Sequence, residues 1–124
     1  NKNLGNLDEF LSMKETSNNI NLIVATTNNY DVPTLKQLVD NLTNSLENSF
    51  VLLANLNKDN VNIICKTNIN NDKIHCGNIV KDICTKCEGN GGGNQSFAQG
   101  GGSNAKNIIK YLKELKTNLK EIVK

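Results

Sequence analysis

The sequence predicts an α/β domain in which a small mixed sheet of about 3–5 strands, including one hairpin, is flanked by α-helices. Runs rich in β-branched residues alternate with stretches whose apolar residues recur every three to four positions, which is typical of strands and amphipathic helices. A strand–helix–strand unit followed by a hairpin implies both parallel and antiparallel pairing in one sheet. The 124 residues suffice for one domain with an aliphatic core, since aromatic residues make up only 4% of the chain.

The first half of the chain is expected to contain a short helix, a strand and a longer helix. Apolar residues recur at helical spacing between residues 4 and 15, and the run 20–25 is dense in β-branched residues, as in a buried strand. Asp31 is expected to cap the next helix, which tolerates Pro33 in its first turn and carries an apolar stripe to residue 46.

The second half is expected to contain a hairpin and two further helices. Four polar residues separate the apolar runs 50–56 and 61–67, which indicates a β-hairpin. Residues 76–87 place apolar side chains on one helical face. Ser103 is expected to cap a last helix with a continuous apolar stripe.

A glycine-rich segment precedes that last helix, since residues 88–102 hold seven of the nine glycines. Such a segment allows positive φ angles, close approach to the backbone, and exposed N–H groups that bind anions. A flexible linker is the alternative, but Phe97 and Gln99 interrupt the glycines, and we allow for a short extra strand near Phe97. The segment fits neither a phosphate-binding loop nor a dinucleotide fingerprint: no Gly-Lys-Ser/Thr follows it, and Asn94 occupies the last glycine position.

The run GNGGGNQSFAQGGG at residues 89–102, after a helix and before a Lys-rich helix, resembles the signature of the DHH-associated domain. Its central Ala98 and Gln99, followed by glycines, resemble in particular the C-terminal (C-Ala) domain of alanyl-tRNA synthetases. Asn94 and Gln95 depart from that family's Arg and Pro, so a phosphate contact by such an Arg is not available here. The resemblance divides the chain into the end of a connecting helix, residues 1–17, and a DHH-associated-like globular domain, residues 18–124.

The resemblance implies a module that holds the outer corner of tRNA-Ala while upstream synthetase domains perform aminoacylation and editing. Because the chain starts at Asn1, we expect a piece of a longer protein, not itself an enzyme and with no cofactor of its own. ATP and Mg would serve the parent ligase, and its location would be cytoplasmic. No membrane partner is expected, since no apolar run approaches roughly 18 residues.

The RNA-binding prediction rests on the glycine segment and on positive charge beside it. Residues 104–124 contain six Lys and two Glu, although the net charge of the whole chain is only +2. All 14 basic residues are Lys, so bidentate Arg–guanine contacts are excluded. Phe97 and Tyr111 offer stacking faces, although Phe97 is expected in the core. The candidate RNA-binding residues are Gly91, Gly92, Gly93, Asn94, Gln99, Gly100, Gly101, Lys106 and Lys110.

Metal binding and catalysis are less favoured by the sequence. His75, Cys76, Cys84 and Cys87 supply four ligands of the types that zinc prefers. The two Cys of the Cys-x-x-Cys pair, however, share a helical face with apolar residues, so core packing is expected and no metal site is assigned. His75 has no paired Ser or Asp at a diagnostic spacing, and no catalytic residue is assigned.

Two other hypotheses remain open at this point. One is the substrate-binding lobe of a DHH-family phosphoesterase, although that branch usually carries His where Asn94 stands. The other is a self-association module, in which the apolar face of the first helix forms a homodimer.

Overall fold

The computed structural model describes residues 7–58, 60–69 and 73–122. These residues form ten elements: α1 (Leu7–Ser12), β1 (Glu15–Ser17), β2 (Ile20–Asn28), α2 (Val32–Ser45), β3 (Ser49–Asn57), β4 (Asn60–Thr67), α3 (Cys76–Lys86), β5 (Gly89–Gly93), β6 (Phe97–Gly102) and α4 (Ile108–Ile122). None of the described helices is both long enough and apolar enough to cross a membrane.

One sheet contains all six described strands, in the order β1-β2-β3-β4-β6-β5. Strands β2 and β3 are parallel, and every other neighbouring pair is antiparallel. The predicted mixed α/β class and the hairpin β3–β4 are therefore confirmed. The strand number exceeds the predicted range. Strand β6 begins at Phe97, where the sequence analysis allowed for a short extra strand, but it anticipated neither β5 nor β1.

Strand β1 changes the interpretation of the N-terminal segment. The helix expected from 4 to 15 ends at Ser12, and Glu15 already belongs to the sheet, so that prediction was wrong at this end; Leu4 lies outside the described residues. Asn18 and Asn19 both have positive φ angles, 52° and 66°, as the tight turn of a two-residue hairpin requires. This turn folds three polar residues back onto β2, which overrides their weak strand signal.

Helices cover both faces of the sheet and divide the core into two apolar clusters. Helices α3 and α4 pack on one face, and α2 packs on the other with α1 beside it. Phe10 of α1 is only 5% exposed and packs in the α2 cluster. The expectation that the first helix presents an exposed apolar face is therefore wrong at Phe10, because α2 covers it.

Two predicted helix caps are not formed by the expected side chains. Asp31 occupies the N-cap position of α2, but its side chain makes no capping hydrogen bond. The Ser103 hydroxyl donates to the backbone carbonyl of Glu88, and α4 begins only at Ile108. Asn104 organises the intervening turn, since its Oδ1 accepts from the backbone N–H of Lys106 at 3.1 Å.

Candidate functional site

The glycine-rich segment is a β-hairpin at one side of the sheet, and not an open loop. Strands β5 and β6 pair in register from Gly89 with Gly102 to Gly93 with Ala98. Asn94 organises the turn between them, because its Oδ1 accepts from the backbone N–H groups of Ser96 and Phe97, both at 2.9 Å. The Oδ1 of Asn94 is thus engaged within the turn, and its Nδ2 group is the one that could donate a hydrogen bond to a ligand.

One face of this hairpin packs directly against α3, and its glycines make that packing possible. A Cβ atom on Gly91 would lie 2.9 Å from Sγ of Cys84, and one on Gly100 would lie 2.8 Å from the same atom. No described glycine has a positive φ angle, so the expectation that these glycines supply such angles was wrong. The missing side chain matters here, since it lets the helix approach the strands closely.

The start of α3 is anchored on the hairpin turn. The N–H groups of Cys76 and Gly77 donate to the carbonyls of Gln95 and Asn94, at 3.0 and 2.9 Å. His75 caps the helix, because its Nδ1 accepts from the N–H of Asn78 at 3.1 Å. The hairpin is thus held in place by helix-terminal hydrogen bonds and presents a fixed surface on its other face.

That other face carries amides and bare backbone. Register places Gly92 beside Gln99, and Asn90 beside Gly101, which in turn pairs with Asn62 of β4. Side chains alternate between the two faces of a strand, so these residues point away from α3. A Cβ atom on Gly92 would meet no atom within 4 Å, so this glycine faces open space. We call this surface the amide face, formed by Asn62, Asn90, Gly92, Gln99 and Gly101.

Phe97 and Tyr111 are both partly buried, and a lysine lies over each ring. Phe97 packs against the α2 cluster, with Lys36 Nζ 5.4 Å from its ring centroid. Tyr111 packs against the α3 and α4 cluster, with Lys86 Nζ at 5.4 Å. The predicted core role of Phe97 is confirmed, and its ring is shielded by a cation at the border of the amide face.

Lys106 lies at the Glu88 end of the hairpin, whereas Lys110 lies on α4, which packs against β2. Lys106 borders a polar depression of about 580 Å³ together with Lys58 and Glu88, and Lys110 is exposed on the first turn of α4. The other end of the hairpin, at Gly93, lies about 13 Å from its Gly89 end, given a rise of roughly 3.3 Å per residue along a strand. The predicted residues therefore do not form one surface, because Gly91 and Gly100 face α3 whereas Gly92 and Gln99 face the opposite side of the sheet. Lys58, in the β3–β4 turn, borders the same depression, and nothing local in the sequence distinguishes it from other turn lysines.

The cysteines are core residues, as the sequence analysis expected. All four are buried, and the Sγ atoms of Cys65 and Cys76 lie 3.1 Å apart. Burial, together with the charge of Cys87, raises the pKa of Cys84 to about 11. In residues 7–58, 60–69 and 73–122, no group of three or more His, Cys, Asp or Glu side chains is placed to hold a metal ion.

Comparisons with known proteins agree with the resemblance drawn from the glycine-rich segment. Residues 19–121 match the family model described as the DHHA1 domain. The alanine–tRNA ligase of Bacillus thuringiensis (strain Al Hakam) is 34% identical over 113 residues, which are 88% of this chain. The chain spans only 13% of that relative's length.

Two solved structures share the fold. The C-Ala domain from Aquifex aeolicus alanyl-tRNA synthetase superimposes with a TM-score of 0.76 at 23% identity, covering 86% of this chain and 97% of that one. An exopolyphosphatase-related protein from Bacteroides fragilis has a TM-score of 0.62 at 17% identity, covering 98% of this chain and 35% of that one. The first likeness covers a whole domain, and the second covers about a third of a longer protein.

Proposed function

Because the chain belongs to the DHHA1 domain family, we propose that it is the C-terminal tRNA-binding module of an alanine–tRNA ligase and holds the outer corner of tRNA-Ala. The observation that carries the proposal is the amide face, where Gly92 leaves the backbone open to close approach. The amide face lies largely within the glycine-rich segment by which the family was recognised, and this links the geometry to tRNA binding. The contacts of this face with RNA are part of the proposal.

The chemistry of the amide face suits RNA. Corners and unpaired regions of RNA are recognised by shape, by stacking and by hydrogen bonds to exposed base edges. Asn62, Asn90 and Gln99 offer both donors and acceptors, and the absence of a side chain at Gly92 lets a base or ribose reach the strand backbone. Asn94, at the turn, can add its Nδ2 donor.

Positive charge at the start of α4 adds an attraction to RNA that carries no sequence information. Lys106 and Lys110 are exposed and have no ion pair with a described residue. Lysine contacts to phosphates release counterions, so the affinity falls as salt rises. With a net charge of only +2, we expect weak binding by the chain alone.

Within the parent ligase, the module would present tRNA to upstream aminoacylation and editing domains. Those domains would use ATP and Mg, whereas this chain would contribute binding without a catalytic group or cofactor of its own. The protein would act in the cytoplasm, where its tRNA partner is found. A homodimer remains a secondary proposal, which light scattering of a longer chain tests directly.

Fluorescence anisotropy tests the proposal by titrating full-length tRNA-Ala, and an acceptor-stem minihelix that lacks the corner, at several salt concentrations. Preference for the full tRNA that is lost in Gly92→Leu supports the amide face as the contact. Thr85→Leu, exposed on α3 at the opposite face of the hairpin, is the matched control.

Equal weak binding to both RNAs, unaffected by Gly92→Leu, would reduce the interaction to charge attraction and contradict the proposal. Binding of short polyphosphate or oligonucleotide ends in place of tRNA would favour the phosphoesterase-lobe hypothesis. Absence of binding to every ligand would favour a structural role within the parent.

A further inference from the structure

Strand β2 has an uncovered outer edge. Strand β1 pairs only with the first three residues of β2, from Ile20 to Leu22. In the described part of the chain, no strand pairs with that side of β2 beyond Leu22. Residues 24–28 therefore form a stretch of roughly 16 Å without a neighbour in the sheet, which we call the open edge.

Along the open edge, every second residue directs its backbone N–H and C=O groups outward, away from β3. The N–H groups of Asn21 and Asn29 donate toward β3, each at 2.8 Å. Because backbone groups alternate in direction along a strand, odd-numbered residues of β2 bond β3 and even-numbered residues point away from it. Val24, Thr26 and Asn28 thus direct their N–H and C=O groups to the outside.

The sequence of the open edge lacks the usual protection of an edge strand. Natural edges are commonly blocked by lysine, proline or a bulge, which prevents unwanted strand pairing. Residues 24–28 read Val-Ala-Thr-Thr-Asn and contain neither a charge nor a proline. Each of these residues is compatible with pairing to an added strand.

An apolar depression of about 270 Å³ lies beside the open edge. Val24 and Thr26 form part of its floor, and Met13 and Ile109 line it from β1's side and from α4. Met13 is 46% exposed and Ile109 is 50% exposed. These are two of the three large apolar side chains that stand exposed in the described residues, the third being Val32 on α2.

Positively charged side chains border the depression and favour an occupant with acidic groups. Lys113 and Lys116 lie on its rim. Lys116 is paired with Glu15 at 3.2 Å, whereas Lys113 has no ion pair in the part of the chain that the structure describes. A second copy of the chain would bring the same lysines together, and like charges oppose such contact. An acidic partner is attracted instead.

We propose that the open edge binds an extended peptide segment, which adds to the sheet as a strand alongside residues 24–28. Backbone hydrogen bonds to Val24, Thr26 and Asn28 supply the pairing. An apolar side chain of the peptide enters the depression between Met13 and Ile109, and a carboxylate two residues along, on the same face of the added strand, contacts Lys113. The partner is therefore a β-forming segment that carries an apolar and an acidic residue two positions apart.

This surface is separate from the amide face. In the sheet, β2 and β5 are four strands apart, which corresponds to about 19 Å at roughly 4.8 Å per step. A bound peptide is thus expected to leave the amide face free, and failure of peptide binding at the open edge does not imply failure of RNA binding at the amide face.

The test uses the 124-residue chain and a synthetic acetylated and amidated peptide of about seven residues, enough to span the open edge, in which isoleucine and glutamate alternate at the odd positions and threonine occupies the even positions. Titration calorimetry gives the affinity, and amide NMR shifts locate the contact. We expect shifts at Val24, Thr26 and Asn28 and none along β5. The same peptide with proline at its central position should not bind, because it cannot continue the strand pairing.

Four variants distinguish peptide binding at the open edge from nonspecific binding. Ile109→Ser and Lys113→Glu should each weaken peptide binding by about tenfold. Their matched controls make the same kind of change at exposed sites elsewhere, Val32→Ser on α2 and Lys81→Glu on α3, and should leave the affinity unchanged. Because all four sites are exposed, circular dichroism should show that the variants fold.

Three results would overturn the proposal. The first is absence of binding at millimolar peptide, and the second is equal binding of the proline peptide. The third is a concentration-dependent dimer of the chain in which the open edge is already covered by a second copy, seen by light scattering together with the NMR shifts.

Discussion

Cys84 and Gly91 meet where helix α3 crosses strand β5, so closely that a Cβ atom on Gly91 would lie 2.9 Å from the cysteine Sγ. The adjacent Gly92 faces the opposite side of the sheet, where a Cβ atom would contact nothing within 4 Å. Two neighbouring glycines thus have different physical roles. Gly91 permits the packing of a helix on the sheet, and Gly92 leaves the amide face bare.

Substitution of these two glycines by alanine should have opposite effects on stability. Gly91→Ala should lower the free energy of unfolding by about 1–3 kcal/mol, because the added methyl forces α3 away from β5. Gly92→Ala should leave it unchanged or raise it by up to about 1 kcal/mol, since alanine restricts the unfolded chain without strain in the fold. Urea unfolding measures both, and equal losses would contradict the assignment of the two faces.

Asn55 is a buried amide whose loss should be costly. Its Oδ1 accepts from the Thr27 hydroxyl at 2.8 Å and from the Tyr30 N–H at 3.1 Å, and its Nδ2 donates to the Tyr30 carbonyl at 2.8 Å. Asn55→Ala should lower the free energy of unfolding by about 2–4 kcal/mol, because these groups lose their partners. Asn57→Ala, at the exposed end of the same strand, is the matched control for thermal unfolding.

Alkaline pH should destabilise the fold through Cys84. Burial, together with the charge of Cys87, raises its pKa to about 11 from an ordinary value of 9.0. The folded state therefore favours the neutral thiol, and this contribution is complete below pH 9 and is lost as the pH rises toward 11. The free energy of unfolding, measured by urea titration, should fall over that interval by at most about 1.4 kcal/mol per pH unit for this single thiol.

A Cys84→Ala variant provides the comparison. It should be less stable than the parent at neutral pH, because a buried side chain is truncated, yet its stability should decline less between pH 9 and 11. An identical decline in both proteins would assign the alkaline effect to other groups.

Glu15 joins the edge strand β1 to α4 through Lys116 and Lys120. Hydrogen bonds from Lys120 and then Lys116 lower the pKa of this carboxyl below its ordinary value of 4.5. Its contribution to stability is therefore present above pH 4.5 and is lost as the pH falls through the lowered pKa. Since these groups are more than a third exposed, Glu15→Gln should cost no more than about 1 kcal/mol.

High salt, and a carboxylate elsewhere in the chain, provide the controls for the ion pairs of Glu15. The difference between Glu15→Gln and the parent should shrink at high salt, because exposed charges are screened. Glu47→Gln, an exposed carboxylate on the loop after α2, should change stability little. A cost for Glu15→Gln that is insensitive to salt and pH would point to packing of β1 as the cause.

The pairing of the two strands of the glycine hairpin is a part of the fold that local sequence patterns do not predict. Glycine has low strand propensity and no side-chain periodicity, so residues 89–93 give no local strand signal. They pair because α3 packs across them and its N–H groups fix the turn at Asn94 and Gln95. Those contacts join residues far apart in the chain, which local patterns do not report.

The sequence by itself determined the elements that have a strong local period or composition: α2, α3, the buried strand β2, the hairpin β3–β4, and the glycine-rich segment that identifies the family. Only the tertiary structure decided which face of each glycine is covered and which edge of β2 is open. Both depend on which element lies beside which, since the same glycine can serve helix packing or an exposed surface. Local sequence sets the pattern of a strand, and its neighbours in the fold decide which of its two faces and two edges remain available.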